Sequence, residues 1–343
     1  MDSFSGMIIG GGYKLVEKIG SGHFGVVYKS IHVTKGHEVA VKLEPIQEGK
    51  NFSMLKNEYD VYQKFNSGER IVPNVYWFGS EKGYNILIME LLGRSLEDLF
   101  ISCSKQFSLK TVAMLADQMI TLIQRVHEKN FIHRDITPGN FLVGLGKDAN
   151  KLFLIDFGYS KTFWDTRLNR HQPNRGNKNL VGTPEYASIN AQNKEDLSRR
   201  DDLESLGYIL VYLMLGKLPW QNVKVDKPWQ KKDKISEIML STPIATLCEN
   251  LPKEFELYIN YCRRLKFKDQ PDYAYLRSIF QMMIKGSCNT HDDVSYFNTQ
   301  KEIPAKGSKM RDRTLQKAIH NLNENTIDSP QNVTVLKLAD VNL

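Results

Sequence analysis

The stretch from residue 131 to residue 158, FIHRDITPGNFLVGLGKDANKLFLIDFG, constrains this chain more than any other part of its sequence. Two carboxylates, Asp135 and Asp156, each follow a short apolar run, and Asn140 comes five residues after the first of them. An aspartate after an apolar run is commonly only a turn residue, so neither triplet has weight alone. Their order and separation together favour a functional site over two unrelated turns.

The order HRDxxxxN followed by DFG resembles the protein-kinase pattern. In that pattern a first carboxylate orients the attacking hydroxyl and accepts its proton, which is the role expected for Asp135. A second carboxylate and an amide oxygen hold the Mg²⁺ that neutralises the phosphates, as expected for Asp156 and Asn140. The resemblance therefore implies ATP and Mg²⁺ as cofactors.

Composition places the chain among globular proteins, since 41% of its 343 residues are hydrophobic and 25% are charged. No apolar run approaches the roughly 18 residues of a membrane span, and no secretory signal is visible. The cysteines have no metal-ligand spacing, which predicts reduced thiols and a cytoplasmic or nuclear location. The net charge of +7 suits acidic or phosphorylated partners. Nucleic-acid binding is not predicted, because no recognition fold or aromatic-basic interleaving accompanies that charge.

A glycine-rich stretch with Gly20, Gly22 and Gly25 follows the alternating pattern that ends at Ile19. Glycines let a backbone turn tightly and approach phosphates closely. A dinucleotide-binding fold uses similar glycines but opens a helix directly after them. Here the chain continues as VVY, with Val27 at the centre, so we predict the strand-turn-strand of a kinase phosphate loop.

The string VAVK, which ends in Lys42, resembles the kinase strand whose lysine contacts the α- and β-phosphates and pairs with a helix glutamate. In isolation, a lysine at the end of a strand is more often a surface residue. We expect Glu58, on a helix predicted over 52–65, to be the ion-pair partner. Glu44 and Glu48 are less suited, since they flank a proline or a glycine.

Two further strands, predicted at 71–77 and 84–89, lead to the hinge expected between two lobes. Backbone groups of Glu90 and Leu92 are expected to form hydrogen bonds with the adenine, which should lie beneath the side chain of Met89. Val27 and Ala40 should sandwich the adenine ring. Helices are predicted to begin at 95–99 and to cover 108–129 and 203–215, with further helical pattern in 254–285.

At 180–190 the chain reads LVGTPEYASIN, in which Ser188, Ile189 and Asn190 stand where most protein kinases have Ala-Pro-Glu. This is similar to the casein kinase I family, which has Ser-Ile-Asn there. Other stretches agree with that family: MELLG at 89–93, SLEDLF at 95–100, KNL at 178–180, SRRDDLESLGY at 198–208, LPWQ at 218–221 and a final PDYAYL at 271–276. The resemblance covers roughly residues 13–298, and its long motifs are specific.

The resemblance implies an α+β, bilobal protein-kinase fold, with a small β-rich N-lobe containing one main helix and a larger helical C-lobe. The predicted boundaries are a flexible N-terminus at 1–12, a kinase domain at 13–298 with lobes at 13–90 and 93–298, and a polar, partly basic tail at 299–343. The implied activity is that of a monomeric Ser/Thr kinase acting on protein substrates with acidic or phosphorylated residues upstream of the target. Implied catalytic residues are Asp135, Lys42, Glu58 and Asn140; implied ATP-binding residues are Ile19, Gly20, Gly22, Gly25, Val27, Ala40, Lys42, Met89, Glu90, Leu92 and Asp156; implied metal ligands are Asn140 and Asp156.

Two departures from the family matter most, while a third, Gly139 in place of an acidic residue, lies at a position that varies widely among kinases. Thr137 stands where the family has lysine, and Glu185 stands where it has an arginine that helps to hold a phosphate. Thr137 leaves open a second hypothesis, a catalytically weak, pseudokinase-like scaffold that binds ATP or partners. Glu185 is expected to weaken recognition of phosphorylated substrates, unless its side chain simply points to solvent.

Overall fold

A computed structural model of the chain describes residues 4–22, 25–47, 49, 52–65, 70–176, 179–225, 227 and 229–286. Within these residues the N-terminal part is rich in strands and the C-terminal part is helical, so the predicted α+β, bilobal arrangement is confirmed. The tail predicted at 299–343 lies outside the described residues, and its boundary stays a prediction.

The N-lobe is built on a six-stranded antiparallel sheet with the order β1-β2-β3-β4-β6-β5. Its strands are β1 (Ile8–Ile9), β2 (Tyr13–Gly22), β3 (Gly25–His32), β4 (Glu38–Pro45), β5 (Val75–Glu81) and β6 (Tyr84–Glu90). Alternate residues of these strands point to one face, where Leu15, Tyr28, Val41 and Ile88 form part of a buried core. Because apolar residues repeat at period two, the sheet covers a core on one side.

Two boundaries in the N-lobe differ from the predictions. The flexible N-terminus predicted at 1–12 is wrong for β1, because Ile8 and Ile9 pair with Lys14 and Tyr13 and the side chain of Ile9 is buried. The strand predicted at 71–77 begins only at Val75. Its first residues precede a proline, which has no N–H for a sheet ladder.

Helix α1 (Met54–Tyr62) is the main helix described in the N-lobe. Ser53 caps it, since the Ser53 hydroxyl accepts a hydrogen bond from the N–H of Lys56 at 2.9 Å. The carboxylate of Glu44, on β4, also accepts from the N–H of Met54 at 2.9 Å. A negative charge at a helix N-terminus is favourable, so Glu44 fixes the start of α1 against the sheet.

The C-lobe is helical, as predicted. Its helices are α2 (Leu96–Ser102), α3 (Leu109–Glu128), α4 (Ile189–Gln192), α5 (Arg199–Leu215), α6 (Gln230–Ser241), α7 (Ile244–Leu247), α8 (Lys253–Arg264) and α9 (Tyr273–Gly286). The predicted apolar face of α3 is confirmed: Val112, Leu115, Met119, Leu122 and Val126 are all buried. Helix α5 begins four residues before the predicted start, where the N–H of Ser198 donates to the Asp201 carboxylate at 2.6 Å ahead of the apolar run.

Short strand pairs carry the loops that were expected to be functional. β7 (Phe131–Ile132) pairs with β10 (Lys161–Thr162), and β8 (Phe141–Val143) pairs with β9 (Leu152–Leu154). A third pair joins β11 (Trp164–Asp165) to β12 (Arg170–His171). His133 Nε2, after β7, lies 3.0 Å from the carbonyl oxygen of Ile155, after β9, so the loops that carry Asp135 and Asp156 are in contact. No helix in the described part of the chain has the length and apolar character needed to cross a membrane.

Candidate active site

Lys42 lies at the centre of the candidate site. It is buried on β4, and its Nζ donates to Oε2 of Glu58 on α1 at 2.6 Å and to Oδ1 of Asp156 at 3.0 Å. The predicted ion pair between Lys42 and Glu58 is therefore confirmed. Burial alone lowers the pKa of Lys42, but the carboxylates of Asp156 and Glu58 outweigh it, and the pKa of Lys42 is raised. The ammonium group is therefore fully charged at physiological pH.

Tyr62 is a member of this cluster that sequence reasoning missed. Its hydroxyl donates to Oε1 of Glu58 at 2.9 Å and accepts from the backbone N–H of Asp156 at 3.2 Å. Tyr62 lies four residues after Glu58 on α1, and residues at this spacing share one helix face. That spacing is the only signal in the sequence that could have indicated the contact.

The segment after β9 is held against α1. Asp156 has a left-handed backbone, with φ at 67°, which turns its carboxylate towards Lys42. The ring of Phe157 is fully buried, with its centre 5.4 Å from that of Tyr62 and 4.8 Å from that of His133. Asn57 Nδ2 donates to the carbonyl oxygens of Phe157 and Gly158, at 3.2 and 3.0 Å. The helix that bears Glu58 and the loop that bears Asp156 are thus joined directly.

The first carboxylate, Asp135, contacts the segment that leads towards α4. Its Oδ1 accepts from the backbone N–H of Thr183 at 2.9 Å and from the Thr183 hydroxyl at 2.8 Å. Asn140 Nδ2 donates to the backbone carbonyl of Asp135 at 2.8 Å. Burial raises the pKa of Asp135, and the hydrogen bond from Thr183 opposes that shift only in part. A raised pKa brings this carboxylate closer to the range in which it can accept and release a proton.

Asp202, in the first turn of α5, holds the backbone that precedes Asp135. Its side chain is buried, and its two oxygens accept from the N–H groups of His133 and Arg134, each at 2.8 Å. Arg134 has a positive φ of 69°, a strained conformation that these bonds stabilise. His127 also contacts Asp202, at 2.8 Å. The predicted helix began only at 203, and Asp202 was noted only within the string SRRDDLESLGY, so no local pattern marks it as a ligand of the loop.

The glycine-rich stretch forms the predicted hairpin between β2 and β3, in which Gly22 pairs with Gly25. Gly25 has a φ of 134°, and a Cβ atom there would lie only 1.8 Å from the carbonyl oxygen of Leu43. No other residue fits at this position. Gly20 precedes the turn on β2, and the half-exposed side chain of Ile19 precedes Gly20. The two residues at the tip, 23 and 24, lie outside the described residues.

Three of the residues expected around the adenine lie on neighbouring strands of the N-lobe sheet, β3, β4 and β6. Val27 is opposite Lys42 across the β3–β4 pair, and Ala40 is two residues before Lys42, so all three side chains share a face. Met89, on β6, is opposite Ala40 and is buried. Glu90 and the buried Leu92 follow at the exit from β6, where the chain passes into the C-lobe.

The protein kinase domain model matches residues 13–284, which is most of the chain. The chain belongs to the protein kinase family. The structure gives that match a physical basis, because Lys42, Glu58 and Asp156 of the kinase pattern meet in space. The roles assigned to individual residues of this kinase remain predictions, since they concern binding and chemistry.

The side chains present fit the cofactors that protein kinases generally use. Asp156 offers a carboxylate and Asn140 an amide oxygen, both of which are hard oxygen ligands suited to Mg²⁺. Among the described residues, no three His, Cys, Asp or Glu side chains gather as a metal site. Mg²⁺ in kinases is held by few protein ligands together with phosphate oxygens, so this limited set fits. Lys42 supplies the positive charge that phosphates require.

The Ser-Ile-Asn segment of this kinase is anchored to the buried start of α5. The Ser188 hydroxyl and Asn190 Nδ2 both donate to Oδ1 of Asp201, at 2.7 and 2.8 Å. The N–H of Ile189 donates to Oε1 of Glu204 at 3.2 Å, and Arg263 Nε donates to the same oxygen at 3.1 Å. These bonds fix the segment that presents Thr183 to Asp135.

The structure shows the surroundings of Glu185 and Thr137, the two residues whose departure from the casein kinase I pattern matters most. Glu185 is not simply solvated: its side chain is one-fifth exposed, and its carboxylate accepts from Lys231 Nζ at 2.9 Å. An anion pocket beside Glu185 would draw on Lys231, Arg134 and Lys178 as cations. Of these, Arg134 donates through Nε to the carbonyl of Tyr159 at 2.6 Å, and Lys178 lies outside the described residues. Thr137 is half-buried in an extended conformation two residues after Asp135.

Proposed function

We propose that this protein is an active Ser/Thr protein kinase that resembles casein kinase I and transfers the γ-phosphate of ATP to acidic protein substrates. The observation that carries the proposal is the position of Lys42 Nζ, within hydrogen-bond distance of both Glu58 and Asp156. A kinase needs this lysine–glutamate pair and the metal-binding aspartate in place together.

The mechanism follows from the groups around Lys42 and Asp135. Lys42 would hold the α- and β-phosphates, with Glu58 and Tyr62 keeping its side chain in position. Mg²⁺ held by Asp156 and Asn140 would neutralise charge on the phosphates. Asp135 would orient the substrate hydroxyl and accept its proton through Oδ2, since Thr183 occupies Oδ1. The glycine hairpin would cover the phosphates and exclude water.

Serine and threonine specificity is supported by the Ser-Ile-Asn segment and by the resemblance to casein kinase I over 13–298. The net charge of +7 supports acidic protein substrates. We infer a monomer that acts in the cytoplasm or nucleus, uses ATP and Mg²⁺ and does not require membranes or nucleic acid. A peptide array with serine, threonine or tyrosine as the acceptor tests the specificity. Phosphorylation restricted to tyrosine would contradict this part of the proposal.

The alternative is a catalytically weak, pseudokinase-like scaffold that binds ATP. Only Thr137 favours it, because a lysine at this position would stabilise the transferring phosphate. Phosphorylation of casein by the purified protein, with Mg²⁺ and ATP, separates the two hypotheses when a Lys42→Ala variant is run beside it. Equal and very low incorporation by both proteins, with normal ATP binding by the unmodified one, would favour the scaffold.

We expect Glu185 to limit the advantage that a phosphoserine upstream of the target gives to a substrate. Glu185 neutralises Lys231 within the protein, so a substrate phosphate would have to displace a carboxylate of like charge. Glu185→Arg should therefore raise the ratio of phosphorylated to unphosphorylated peptide turnover by about tenfold, because a charged hydrogen bond is gained and a repulsion is lost. Paired peptides, measured at low and high salt, give this ratio.

The matched control is Lys231→Met in the Glu185→Arg protein. If Lys231 contributes to the new anion site, its removal should return the ratio towards that of the unmodified enzyme. Glu237→Arg, which disrupts an exposed pair with Lys234 on the same helix, should leave the ratio unchanged. A large preference for the phosphorylated peptide in the unmodified enzyme would contradict the role given to Glu185.

Thr137→Lys is expected to raise kcat. A lysine here could donate to the γ-phosphate as charge develops, and a charged hydrogen bond of roughly 1.5–3 kcal/mol corresponds to about 10- to 100-fold in rate. The extended backbone at Thr137 accepts any L residue, so the fold should persist. Steady-state kinetics on casein measure the effect, and Thr137→Met separates side-chain length from charge. An unchanged kcat in Thr137→Lys would mean that another cation already fills the role.

A further inference from the structure

Arg70 lies in the segment between α1 and β5, and its guanidinium reaches three elements that border the nucleotide region. Its Nη2 donates to both carboxylate oxygens of Glu90, at 2.7 and 2.9 Å. Its Nη1 lies 3.7 Å from Oδ2 of Asp148, in the turn between β8 and β9. The guanidinium carbon is 5.2 Å from the centre of the Phe153 ring on β9. One side chain therefore connects the end of the N-lobe sheet to a hairpin of the C-lobe.

Glu90 is also held from a second direction. Its Oε2 accepts from the N–H of Asn74 at 3.0 Å, and its own N–H donates to the carbonyl of Asn74 at 2.8 Å. The carbonyl of Ile71, next to Arg70, accepts from the N–H of Leu154 on β9 at 2.8 Å. The segment from 70 to 74 is thus bonded both to the hinge residue Glu90 and to the C-lobe.

Nucleotide entry and release in bilobal enzymes require the lobes to move about a hinge. The chain crosses between the lobes directly after Glu90, and Arg70 bonds Glu90 on one side of this crossing and contacts Asp148 and Phe153 on the other. Opening the lobes while Arg70 remains bonded to Glu90 would lengthen the contacts to Asp148 and Phe153. The arginine must therefore give up one set of contacts before the cleft can open.

We propose that Arg70 is an interlobe clamp that holds the hinge closed and slows the release of nucleotide. It is a positioning residue, since it acts through Glu90 and does not itself reach the phosphate-binding lysine. The proposal rests on the ATP-dependent function given above. It identifies a residue that sets how long the product ADP stays bound, which often limits turnover in enzymes that close over their substrates.

The test is the dissociation of a fluorescent N-methylanthraniloyl derivative of ADP from the full chain, followed by stopped-flow. Arg70→Ala should raise the dissociation rate constant by about three- to tenfold, as expected for a partly exposed ion pair with added contacts. Arg70→Lys should give a smaller rise than Arg70→Ala, because a lysine ammonium keeps a positive charge near Glu90. The rate should still rise, because one ammonium cannot reach all three partners. Arg125→Ala removes a surface arginine that pairs with Glu128 at 2.9 Å on α3 and should leave the rate unchanged.

A double-mutant cycle with Glu90→Gln tests whether Arg70 slows nucleotide release through its bond to Glu90. Each single variant should speed release, and the double variant should be no faster than the faster single variant. Asp148→Asn, which leaves the hinge intact, should give a smaller increase and provides a second measurement if Arg70→Ala does not fold. Release from Arg70→Ala at the unmodified rate, or full additivity with Glu90→Gln, would overturn the clamp. If Arg70→Ala does not fold, an unchanged rate in Asp148→Asn would overturn it. Absence of ADP binding by the unmodified protein would overturn the proposed function and the clamp with it.

Discussion

Replacing Lys42 with methionine is expected to lower kcat/KM on casein by roughly 10²- to 10³-fold, the usual cost of losing one preorganised donor to a developing negative charge. The change removes the cation that would hold the phosphates. It also leaves Glu58 and Asp156 facing each other without the ammonium that now contacts both. Steady-state kinetics with casein and ATP measure the loss of activity.

The same variant should also be less stable, by roughly 3–5 kcal/mol, because removing one partner of a buried ion pair leaves an uncompensated charge. Burial raises the pKa of Glu58, and Lys42 opposes that shift, so the pKa of Glu58 should rise further in the variant. A carboxyl with a raised pKa contributes stability that is fully present below its unfolded pKa and is lost as the pH rises through its folded pKa. The difference in melting temperature from the unmodified protein should therefore grow from about pH 5 to about pH 8.

Lys29→Met is the matched control, since Lys29 lies on the neighbouring strand β3 and forms a partly exposed pair with Glu38 at 2.5 Å. It should change the melting temperature little and show no such dependence on pH. Near-full activity in Lys42→Met would mean that the phosphate-binding lysine has been misplaced. A melting temperature equal to that of the unmodified protein at both pH values would contradict the role of the charge cluster.

Asp135→Asn is expected to lower kcat by roughly 10²- to 10⁴-fold, the range for loss of a positioned general base. An asparagine oxygen can still accept the two hydrogen bonds from Thr183, so the loop should keep its conformation. An amide cannot accept the substrate proton. ADP affinity should therefore stay near that of the unmodified protein, which separates a loss of chemistry from a loss of folding or nucleotide binding.

The dependence on pH provides an independent check on Asp135. Burial raises the pKa of Asp135, so the acid side of the kcat profile should lie above the value of about 3.9 for an ordinary aspartate. Because the folded pKa exceeds the unfolded one, ionised Asp135 costs stability as the pH rises through the folded pKa. The amide of the Asp135→Asn variant stays neutral. The variant should therefore be at least as stable as the unmodified protein at neutral pH, and its kcat profile should lack the acid limb.

Asp165→Asn controls for the substitution itself, because Asp165 also accepts two backbone hydrogen bonds, from Arg167 and Leu168, at 3.0 Å each. It lies outside the candidate site and should leave kcat unchanged. Substantial activity in Asp135→Asn, with the same pH profile as the unmodified enzyme, would require a different group to accept the proton.

The amino-acid sequence by itself determined the fold class and the partners in the central ion pair. Lys42 was found because the string VAVK resembles the kinase strand whose lysine pairs with a helix glutamate, and Glu58 because it lies on the next predicted helix. Strand and helix periods are local properties, so they can be read without knowing which elements meet. The kinase pattern then supplied the predicted roles of Asp135 as the proton acceptor and of Asn140 and Asp156 as Mg²⁺ ligands.

Sequence periodicity was less informative where a segment is polar but buried. The first turn of α5 was missed because Asp201 and Asp202, like Glu204 after them, resemble solvent-exposed residues in the sequence although they are buried. In the folded chain they accept hydrogen bonds from two separate loops. Burial of a carboxylate is favourable only when its partners are in place, and those partners lie far away along the chain.

Only the tertiary structure decided which charges are already paired within the protein. Nothing in the sequence indicates that Glu185 bonds to Lys231, 46 residues later, or that Arg70 joins Glu90 to Asp148. Tyr62 and Asn57 likewise act on a loop that is distant in sequence. Hydrogen bonds and ion pairs depend on distances of a few ångströms, and those distances are set by how the helices and sheets pack rather than by any local pattern.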